Sequence, residues 1–198
     1  MIGLAKARKA ISSHITQPPV KLLARTPVTP NTITWLGFWI TIGAAALIVT
    51  GHLFAAGFVV LVAGLFDILD GALARTTNRV TRFGSVLDST LDRLSEAALL
   101  LSILVIYVRG QQVAESLLVG IALLGSLLVS YIRARIEALG IECEVGLFTR
   151  PERVIILALG LLLSRFDYAL IIALAIITAF SFFTVGQRLL YAWRQTRT

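Results

Sequence analysis

Long apolar segments, separated by short polar ones, run through nearly the whole sequence. Hydropathy places six of them at 32–50, 53–73, 86–108, 113–134, 152–165 and 168–190. A helix needs about 20 apolar residues to cross a ~30 Å hydrocarbon core, and only the fifth segment is clearly short. The chain is 57% apolar and 15% charged, whereas a soluble domain is about a quarter charged. We therefore expect an all-α polytopic membrane protein with six transmembrane helices.

The six segments define one transmembrane domain, residues 29–194, which is followed by a short tail, 195–198. Residues 1–28 precede it and place apolar Ile11 and Ile15 among basic residues such as Lys6 and Arg8. This pattern predicts an amphipathic helix lying in the membrane interface, with an unstructured basic tail as the alternative. Because no unbroken apolar stretch follows the basic residues, a signal peptide is not predicted.

The basic residues are unevenly distributed between the two sides of the predicted bundle. If the N-terminus is cytoplasmic, all Lys and Arg except Arg109 and Arg165 fall on the cytoplasmic side. This asymmetry follows the positive-inside rule. We expect a multi-pass protein of the plasma membrane whose N-terminus and active site face the cytoplasm. The net charge of +7 then reflects topology and anionic headgroups, and nucleic acid is not an expected partner.

Four aspartates interrupt the apolar sequence around the second and third segments. Asp67 and Asp70 are three residues apart, and Asp88 and Asp92 are four apart, so each pair shares one face of a helix. Asp67 lies about 14 residues into its segment, which corresponds to about 21 Å of helix. If the third helix folds back on the second, the two pairs face each other at a similar depth.

Four neighbouring carboxylates repel one another and stay ionised in a partly dehydrated cleft only if cations join them. Mg²⁺ prefers a few carboxylates together with water and substrate phosphate. Two such ions about 3.5–4 Å apart would use all four aspartates and could hold a phosphoryl group. The alternative is a solvated loop in which the aspartates pair with Arg75, Arg79, Arg82 and Arg93.

Small residues lie beside the aspartates. Gly71, Ala72 and Ala74 follow Asp70, and Gly84 precedes the second pair. Without bulky side chains, a phosphorylated group can approach the backbone closely, although helix packing alone also explains small residues here. Arg75, one turn after Gly71, can reach a phosphate with its planar guanidinium.

These residues form the pattern Asp67-x2-Asp70-Gly71-x2-Ala74-Arg75-x8-Gly84-x3-Asp88-x3-Asp92. The pattern resembles, at every fixed position, the signature of the CDP-alcohol phosphotransferase family. The six-segment layout of that family is also similar over nearly the whole chain. The resemblance implies a membrane homodimer that takes a CDP-linked lipid and an alcohol, transfers the substituted phosphoryl group and releases CMP.

The resemblance also implies roles for individual residues. Two divalent ions, Mg²⁺ with Mn²⁺ as the alternative, would be bound by Asp67, Asp70, Asp88 and Asp92. The CDP group would be held by Gly71, Ala74, Arg75 and Gly84, with further contacts from Asn31, Thr32 and Thr81. Asp92 would in addition be the catalytic base that takes the proton of the alcohol.

A second basic cluster bears on the acceptor alcohol. The stretch 130–157, "SYIRARIEALGIECEVGLFTRPERVIIL", and "GQR" at 186–188 resemble the branch of the family that makes phosphatidylinositol phosphate and its archaeal ether-lipid counterpart. That branch commonly has Lys at the position of Arg133. The resemblance implies inositol phosphate as the acceptor, a phosphorylated polyol bound by Arg133, Arg150, Arg153 and Arg188. Glycerol 3-phosphate is the alternative acceptor, and a role limited to topology is the alternative for the arginines.

A divalent-cation transporter is the main non-enzymatic alternative, because ionisable residues within membrane segments often mark ion paths. Such a path would continue outward, but the outer halves of the segments are nearly free of charge. The one-sided acidic cluster favours an enzyme that works from the cytoplasm.

Glu96, one turn beyond Asp92, can tune Asp92 or pair with Arg93. Cys143 is the single cysteine of the sequence, so an intrachain disulfide is excluded and no role of its thiol is predicted. His14 and His52 have no partner at metal-binding spacing and are interpreted as structural.

Overall fold

A computed structural model describes residues 26–196 and Val20. The described residues form six α-helices and no strand: α1 Pro30–Val49, α2 Leu53–Thr76, α3 Arg82–Arg109, α4 Val113–Ala138, α5 Arg150–Leu162 and α6 Ala169–Thr196. Each predicted apolar segment overlaps one of these helices, which confirms the all-α class for the described residues. The predicted interfacial helix over 1–28 lies almost entirely outside the described residues, and α6 continues two residues beyond the predicted domain end at 194.

Four helices, α1, α2, α4 and α6, are long and apolar enough to cross a membrane. The other two differ from them in composition or length. α3 has 28 residues, but its first 15 include Asp88, Asp92, Arg93 and Glu96. α5 has 13 residues and is therefore about 20 Å long. Four membrane-length helices are thus shown within the described chain, and membrane spans for α3 and α5 stay predictions.

Local capping residues set the starts of the helices that carry the polar side chains. The hydroxyl of Thr81 accepts a hydrogen bond from the Gly84 N–H (2.9 Å) at the start of α3. At the start of α5, the Thr149 N–H donates to Glu152 Oε2 (2.8 Å), as in a capping box. These caps fix the first residues of α3 and α5, and thereby the directions of the polar side chains that follow in each helix.

The apolar core of the bundle lies away from the aspartates and joins all six helices. Its most buried members include Ala44, Ile48, Val60, Leu100, Ile103, Ala122, Leu161 and Leu174. Two glycines let α5 approach its neighbours closely. A Cβ at Gly57 would lie 2.8 Å from Leu162 Cγ, and one at Gly160 would lie 2.6 Å from Ala173 Cβ. α5 is therefore packed tightly between α2 and α6, with its charged N-terminal turn at the same end as the aspartates.

Candidate active site

The acidic residues of α2 and α3 meet at one end of the bundle. Arg150 Nη1 lies 2.8 Å from Asp67 Oδ2 and 2.7 Å from Asp92 Oδ1. Three helices, α2, α3 and α5, therefore contribute to this cluster. Within residues 26–196, Arg150 is the only basic side chain that forms an ion pair with any of the four aspartates. In the part of the chain that the structure describes, none of the four aspartates forms an ion pair with Arg75, Arg79, Arg82 or Arg93, the alternative considered above.

Asp70 and Asp88 lie beside this ion-paired group. Asp70 is only 3% exposed, and its Oδ1 accepts a hydrogen bond from the Gly71 N–H. Its Oδ2 is buried and has no hydrogen-bond partner among the described residues. A buried carboxylate oxygen without a donor or cation is unfavourable. Asp70 therefore presents an unsatisfied negative oxygen next to a second carboxylate, Asp88.

The donor chemistry of this cluster suits a divalent metal ion. Carboxylate oxygens are the hard ligands that Mg²⁺ and Mn²⁺ prefer. In the part of the chain that the structure describes, no three Asp, Glu, His or Cys side chains already surround a common point at ligand distance. The carboxylates of Asp67 and Asp92 instead converge on the Arg150 guanidinium. Two observations fit a cation-binding site. One oxygen of Asp70 has no partner among the described residues, and Asp67 and Asp92 converge on one positive charge.

A cavity of about 340 Å³ opens beside Asp70 and Asp88, between the start of α1, the end of α2 and the start of α3. Ligand pockets typically measure about 300–1,000 Å³, so it is large enough for part of a nucleotide. Its lining includes six of the predicted CDP-binding residues, Asn31, Gly71, Ala74, Arg75, Thr81 and Gly84. Thr32, the seventh, does not line the cavity, and its hydroxyl instead hydrogen-bonds that of Thr29 at the start of α1 (2.9 Å).

Gly84 is placed where a larger side chain does not fit. A Cβ at this position would lie 2.8 Å from Thr81 Oγ1 and 3.1 Å from Asn31 Oδ1. We expect Gly84→Ala to raise the KM for the CDP-lipid about tenfold, because overpacking typically costs about 1–3 kcal/mol and 1.4 kcal/mol is tenfold. Gly43→Ala is the matched control, since nothing lies within 4 Å of its added Cβ. Equal KM values for the two variants would contradict this role of Gly84.

The four arginines predicted to bind the acceptor have different partners. Arg150 joins the aspartates, whereas Arg133 is exposed and pairs with Glu137 (2.8 Å). Arg188 is buried and donates from Nε to the Val145 carbonyl (2.9 Å) and from Nη1 to the Val129 carbonyl. Arg153, described below, pairs with Glu96. The structure thus brings one of the four arginines to the acidic cluster and does not gather all four around a shared partner.

The α4–α5 loop delivers Arg150 to the cluster because it is fixed against α6. The Phe148 N–H donates to Thr184 Oγ1 (3.2 Å), and the Leu147 N–H donates to Gln187 Oε1 (3.3 Å). Gly146 has φ +138°, and a Cβ there would lie 2.9 Å from Thr184 Cγ2. A left-handed backbone and a close approach both require glycine at this position. The loop is therefore held closely against α6 immediately before α5 begins.

The ion-pair partner of Glu96 is Arg153, which was not predicted from the sequence. Arg153 Nε donates to Glu96 Oε1 (2.6 Å), and Arg153 Nη2 donates to Glu96 Oε2 (2.9 Å). Arg93, the partner considered from sequence, instead donates to the Ser89 carbonyl one turn earlier. The available signal was the spacing, since Glu96 follows Asp92 by four residues and Arg153 follows Arg150 by three. These spacings place each residue on the face of its helix that already carries a site residue.

The sequence matches one known protein family over most of its length. The model of the family described as CDP-alcohol phosphatidyltransferase matches residues 27–185. The archaetidylinositol phosphate synthase of Methanothermobacter thermautotrophicus is 39% identical over 168 residues, which cover 83% of this chain and 83% of that protein. The phosphatidylinositol phosphate synthase of Corynebacterium glutamicum is 36% identical over 197 residues, which cover 97% of this chain and 89% of that protein.

Solved structures with the same fold come from the phosphatidylinositol phosphate synthase of Mycobacterium tuberculosis. The crystal structure with CDP-DAG bound has a TM-score of 0.82 and 37% identity, and covers 91% of this chain and 94% of that chain. The structure in complex with manganese and citrate also has a TM-score of 0.82 and 37% identity, with coverages of 90% and 88%. The chain belongs to the CDP-alcohol phosphatidyltransferase family. It is a multi-pass membrane enzyme of phospholipid synthesis. This membership argues against a divalent-cation transporter, the non-enzymatic alternative considered from the sequence.

Proposed function

We propose that this enzyme transfers the phosphatidyl group of a CDP-diacylglycerol-type lipid to inositol phosphate and releases CMP. The observation that carries the proposal is the position of Arg150. It lies between Asp67 and Asp92, in a cluster whose other carboxylates, Asp70 and Asp88, line the cavity of the signature residues. A phosphate-binding side chain next to the predicted base is what a phosphorylated acceptor requires. The names of the similar synthases support the same acceptor.

The cavity is proposed to hold the cytidine diphosphate group. Gly71 and Gly84 leave room for it, and Arg75 donates hydrogen bonds to a phosphate oxygen. Asn31 and Thr81 contribute further polar contacts from the walls of the cavity. Two divalent ions, Mg²⁺ or Mn²⁺, held by the four aspartates would neutralise the pyrophosphate and the departing CMP.

Asp92 is proposed to take the proton of the acceptor hydroxyl. As the oxygen of the acceptor bonds to the lipid-linked phosphorus, the bond between that phosphorus and the CMP oxygen breaks, and the proton passes to an Asp92 carboxylate oxygen. Arg150, which contacts Asp67 and Asp92, is proposed to bind the acceptor as well. Its side chain is about one-fifth exposed, and its Nε has no hydrogen-bond partner among the described residues, so this guanidinium is assigned to the phosphate of the acceptor. Arg133 and Arg188, on the neighbouring helices, add positive charge at this end.

The membrane arrangement is proposed from the positions of the charges. We place α3 and α5 in the membrane with the other four helices, because both contribute buried residues to the shared apolar core. The acidic cluster lies where α2 ends and where α3 and α5 begin, the end that carries most of the basic residues. This end is therefore assigned to the cytoplasm, with the protein in the plasma membrane. A homodimer is proposed from the family resemblance.

The acceptor can be identified with purified protein in detergent. CMP release from CDP-diacylglycerol is measured with inositol phosphate, free inositol, glycerol 3-phosphate or serine, and the lipid product is identified by mass spectrometry. We expect inositol phosphate to exceed free inositol by about tenfold or more in kcat/KM, because hydrogen bonds between charged groups contribute about 1.5–3 kcal/mol. A reaction without acceptor is the control for hydrolysis. Faster reaction with glycerol 3-phosphate would assign the enzyme to the alternative acceptor.

A further inference from the structure

One face of α6 carries polar side chains that contact the α4–α5 loop. They are Thr184, Gln187, Arg188 and Tyr191. Their spacings of three, one and three residues place them on a single face of the helix, over about two turns. The loop, residues 139–149, contains no helix or strand. The polar groups of its backbone therefore need partners from other parts of the chain.

Thr184 and Gln187 bind the end of the loop that leads into α5. Thr184 Oγ1 accepts a hydrogen bond from the Phe148 N–H (3.2 Å), and Gln187 Oε1 accepts one from the Leu147 N–H (3.3 Å). Thr184 is 0% exposed and Phe148 is 5% exposed, so the first of these bonds is buried. A buried N–H that loses its acceptor is unfavourable, and the hydroxyl of Thr184 supplies that acceptor here.

Arg188 and Tyr191 bind the part of the loop that lies nearer to α4. Arg188 Nε donates to the Val145 carbonyl (2.9 Å), and the Tyr191 hydroxyl donates to the Glu142 carbonyl (3.0 Å). Contacts made later along α6 fall earlier along the loop, so the two segments run antiparallel. All of these contacts use backbone groups of the loop. The face of α6 therefore fixes the path of the loop backbone.

The amide that follows Phe148 joins the loop to α5. The Thr149 N–H donates to Glu152 Oε2 (2.8 Å), and the Thr149 hydroxyl donates to the same oxygen (2.6 Å). Two successive amides are thus held, the first by α6 and the second by α5. Arg150 comes directly after them, and the direction of its side chain depends on where the first turn of α5 begins and how it is rotated.

We propose that Thr184 and Gln187 are positioning residues for the acceptor site. They hold the two amides that precede the cap of α5, so that α5 begins at Arg150 and its guanidinium lies against Asp67 and Asp92. Both residues act through the first turn of α5. The inference rests on the proposed function only where it gives the arginines of that turn a phosphorylated acceptor to bind.

Substitution of Thr184 tests the positioning role in the kinetics of each substrate. Thr184→Val nearly keeps the shape of the side chain but removes the oxygen that accepts from the Phe148 N–H. We expect it to raise the KM for inositol phosphate about tenfold. The KM for the CDP-lipid should stay within about twofold, because the proposed cytidine diphosphate cavity is lined by α1, α2 and the start of α3. Thr184→Ser keeps the oxygen and should have an acceptor KM within about twofold of wild type.

Three outcomes of these measurements overturn the proposal. They are an unchanged acceptor KM in Thr184→Val, an equal rise of both KM values, and an acceptor KM in Thr184→Ser as high as in Thr184→Val. A change that only loosened the fold would affect both substrates alike, whereas loss of positioning affects the acceptor.

Thr178→Val is the matched control on the same helix. The Thr178 hydroxyl donates to the Leu174 carbonyl within α6 (2.8 Å), so its loss should leave both KM values within about twofold of wild type. An acceptor KM that rises as much in Thr178→Val as in Thr184→Val contradicts the proposal.

Gln187→Met extends the test to the second amide. It removes the acceptor of the Leu147 N–H at a less buried position, and the KM for inositol phosphate should rise about threefold. An unchanged acceptor KM would remove Gln187 from the proposal. Arg188 is itself a predicted acceptor ligand, so its substitution would not separate positioning from binding.

Hydrogen–deuterium exchange gives a readout that does not depend on activity. In Thr184→Val we expect faster exchange over residues 145–150 and unchanged exchange in α1 and α3. Unchanged exchange over 145–150 contradicts the positioning role. If the wild-type enzyme does not use inositol phosphate but Thr184→Val shows this local change, the proposed acceptor fails and the positioning role stands.

Discussion

Asp92→Asn is expected to lower the rate of CMP release by about a thousandfold. The change preserves the size of the side chain but removes the group that accepts the proton of the acceptor, and a positioned general base contributes about 10²–10⁴-fold. It also removes one of the two carboxylates that contact Arg150 Nη1, at 2.7 Å. Single-turnover CMP release with saturating CDP-diacylglycerol and inositol phosphate measures the chemical step directly.

Two comparisons isolate the base from the general effect of a lost charge. Asp167→Asn makes the same substitution in the exposed α5–α6 connection and should retain wild-type turnover. Asp67→Asn removes the other carboxylate of the Arg150 contact, at 2.8 Å, but leaves the proposed base in place. Asp92→Asn should therefore be slower than Asp67→Asn at saturating metal. An Asp92→Asn enzyme within tenfold of wild type would remove Asp92 from the role of base.

The parts of this fold that sequence predicts are those set by local physical rules. Apolar runs of membrane length predicted the helices. Helical spacing placed the aspartates of each pair on one face. The cavity residues, including Gly71 and Gly84, came from the signature and not from periodicity. Their shared location follows from folding α3 back on α2.

The parts that sequence did not predict are contacts between distant residues. Arg153 lies 57 positions from Glu96, and helical periodicity does not tell how two helices are rotated relative to each other. The run "RPER" at residues 150–153 therefore showed that two arginines lie close together in sequence. It did not show which of them faces solvent, the acidic cluster or the core. Arg188 posed the same problem, because its charge did not predict that it donates to two backbone carbonyls. The start of α5 at Arg150, earlier than the predicted 152, depends on the cap formed by Thr149 and Glu152.

Removal of divalent metal is expected to abolish CMP release altogether. Among the described residues, Arg150 forms ion pairs with Asp67 and Asp92, and Asp70 and Asp88 have no ion-pair partner. The pyrophosphate of the CDP-lipid would add further negative charge beside them. Metal ions stabilise such charge by several kcal/mol, so dialysis against EDTA should reduce the rate at least about a thousandfold. Added Mg²⁺ or Mn²⁺ should restore it, and full activity in EDTA would refute the metal assignment.

Metal binding can also be measured without turnover, by the loss of the free Mn²⁺ signal in electron paramagnetic resonance. Wild-type protein should bind about two Mn²⁺ per chain, because four carboxylates can serve two ions. Asp70→Asn should weaken binding most clearly, since the Oδ2 of Asp70 is buried without a partner in the described chain and its charge is not offset by Arg150. Asp167→Asn is again the control. Unchanged Mn²⁺ affinity in Asp70→Asn would place the ions elsewhere, even if EDTA still inhibited the enzyme.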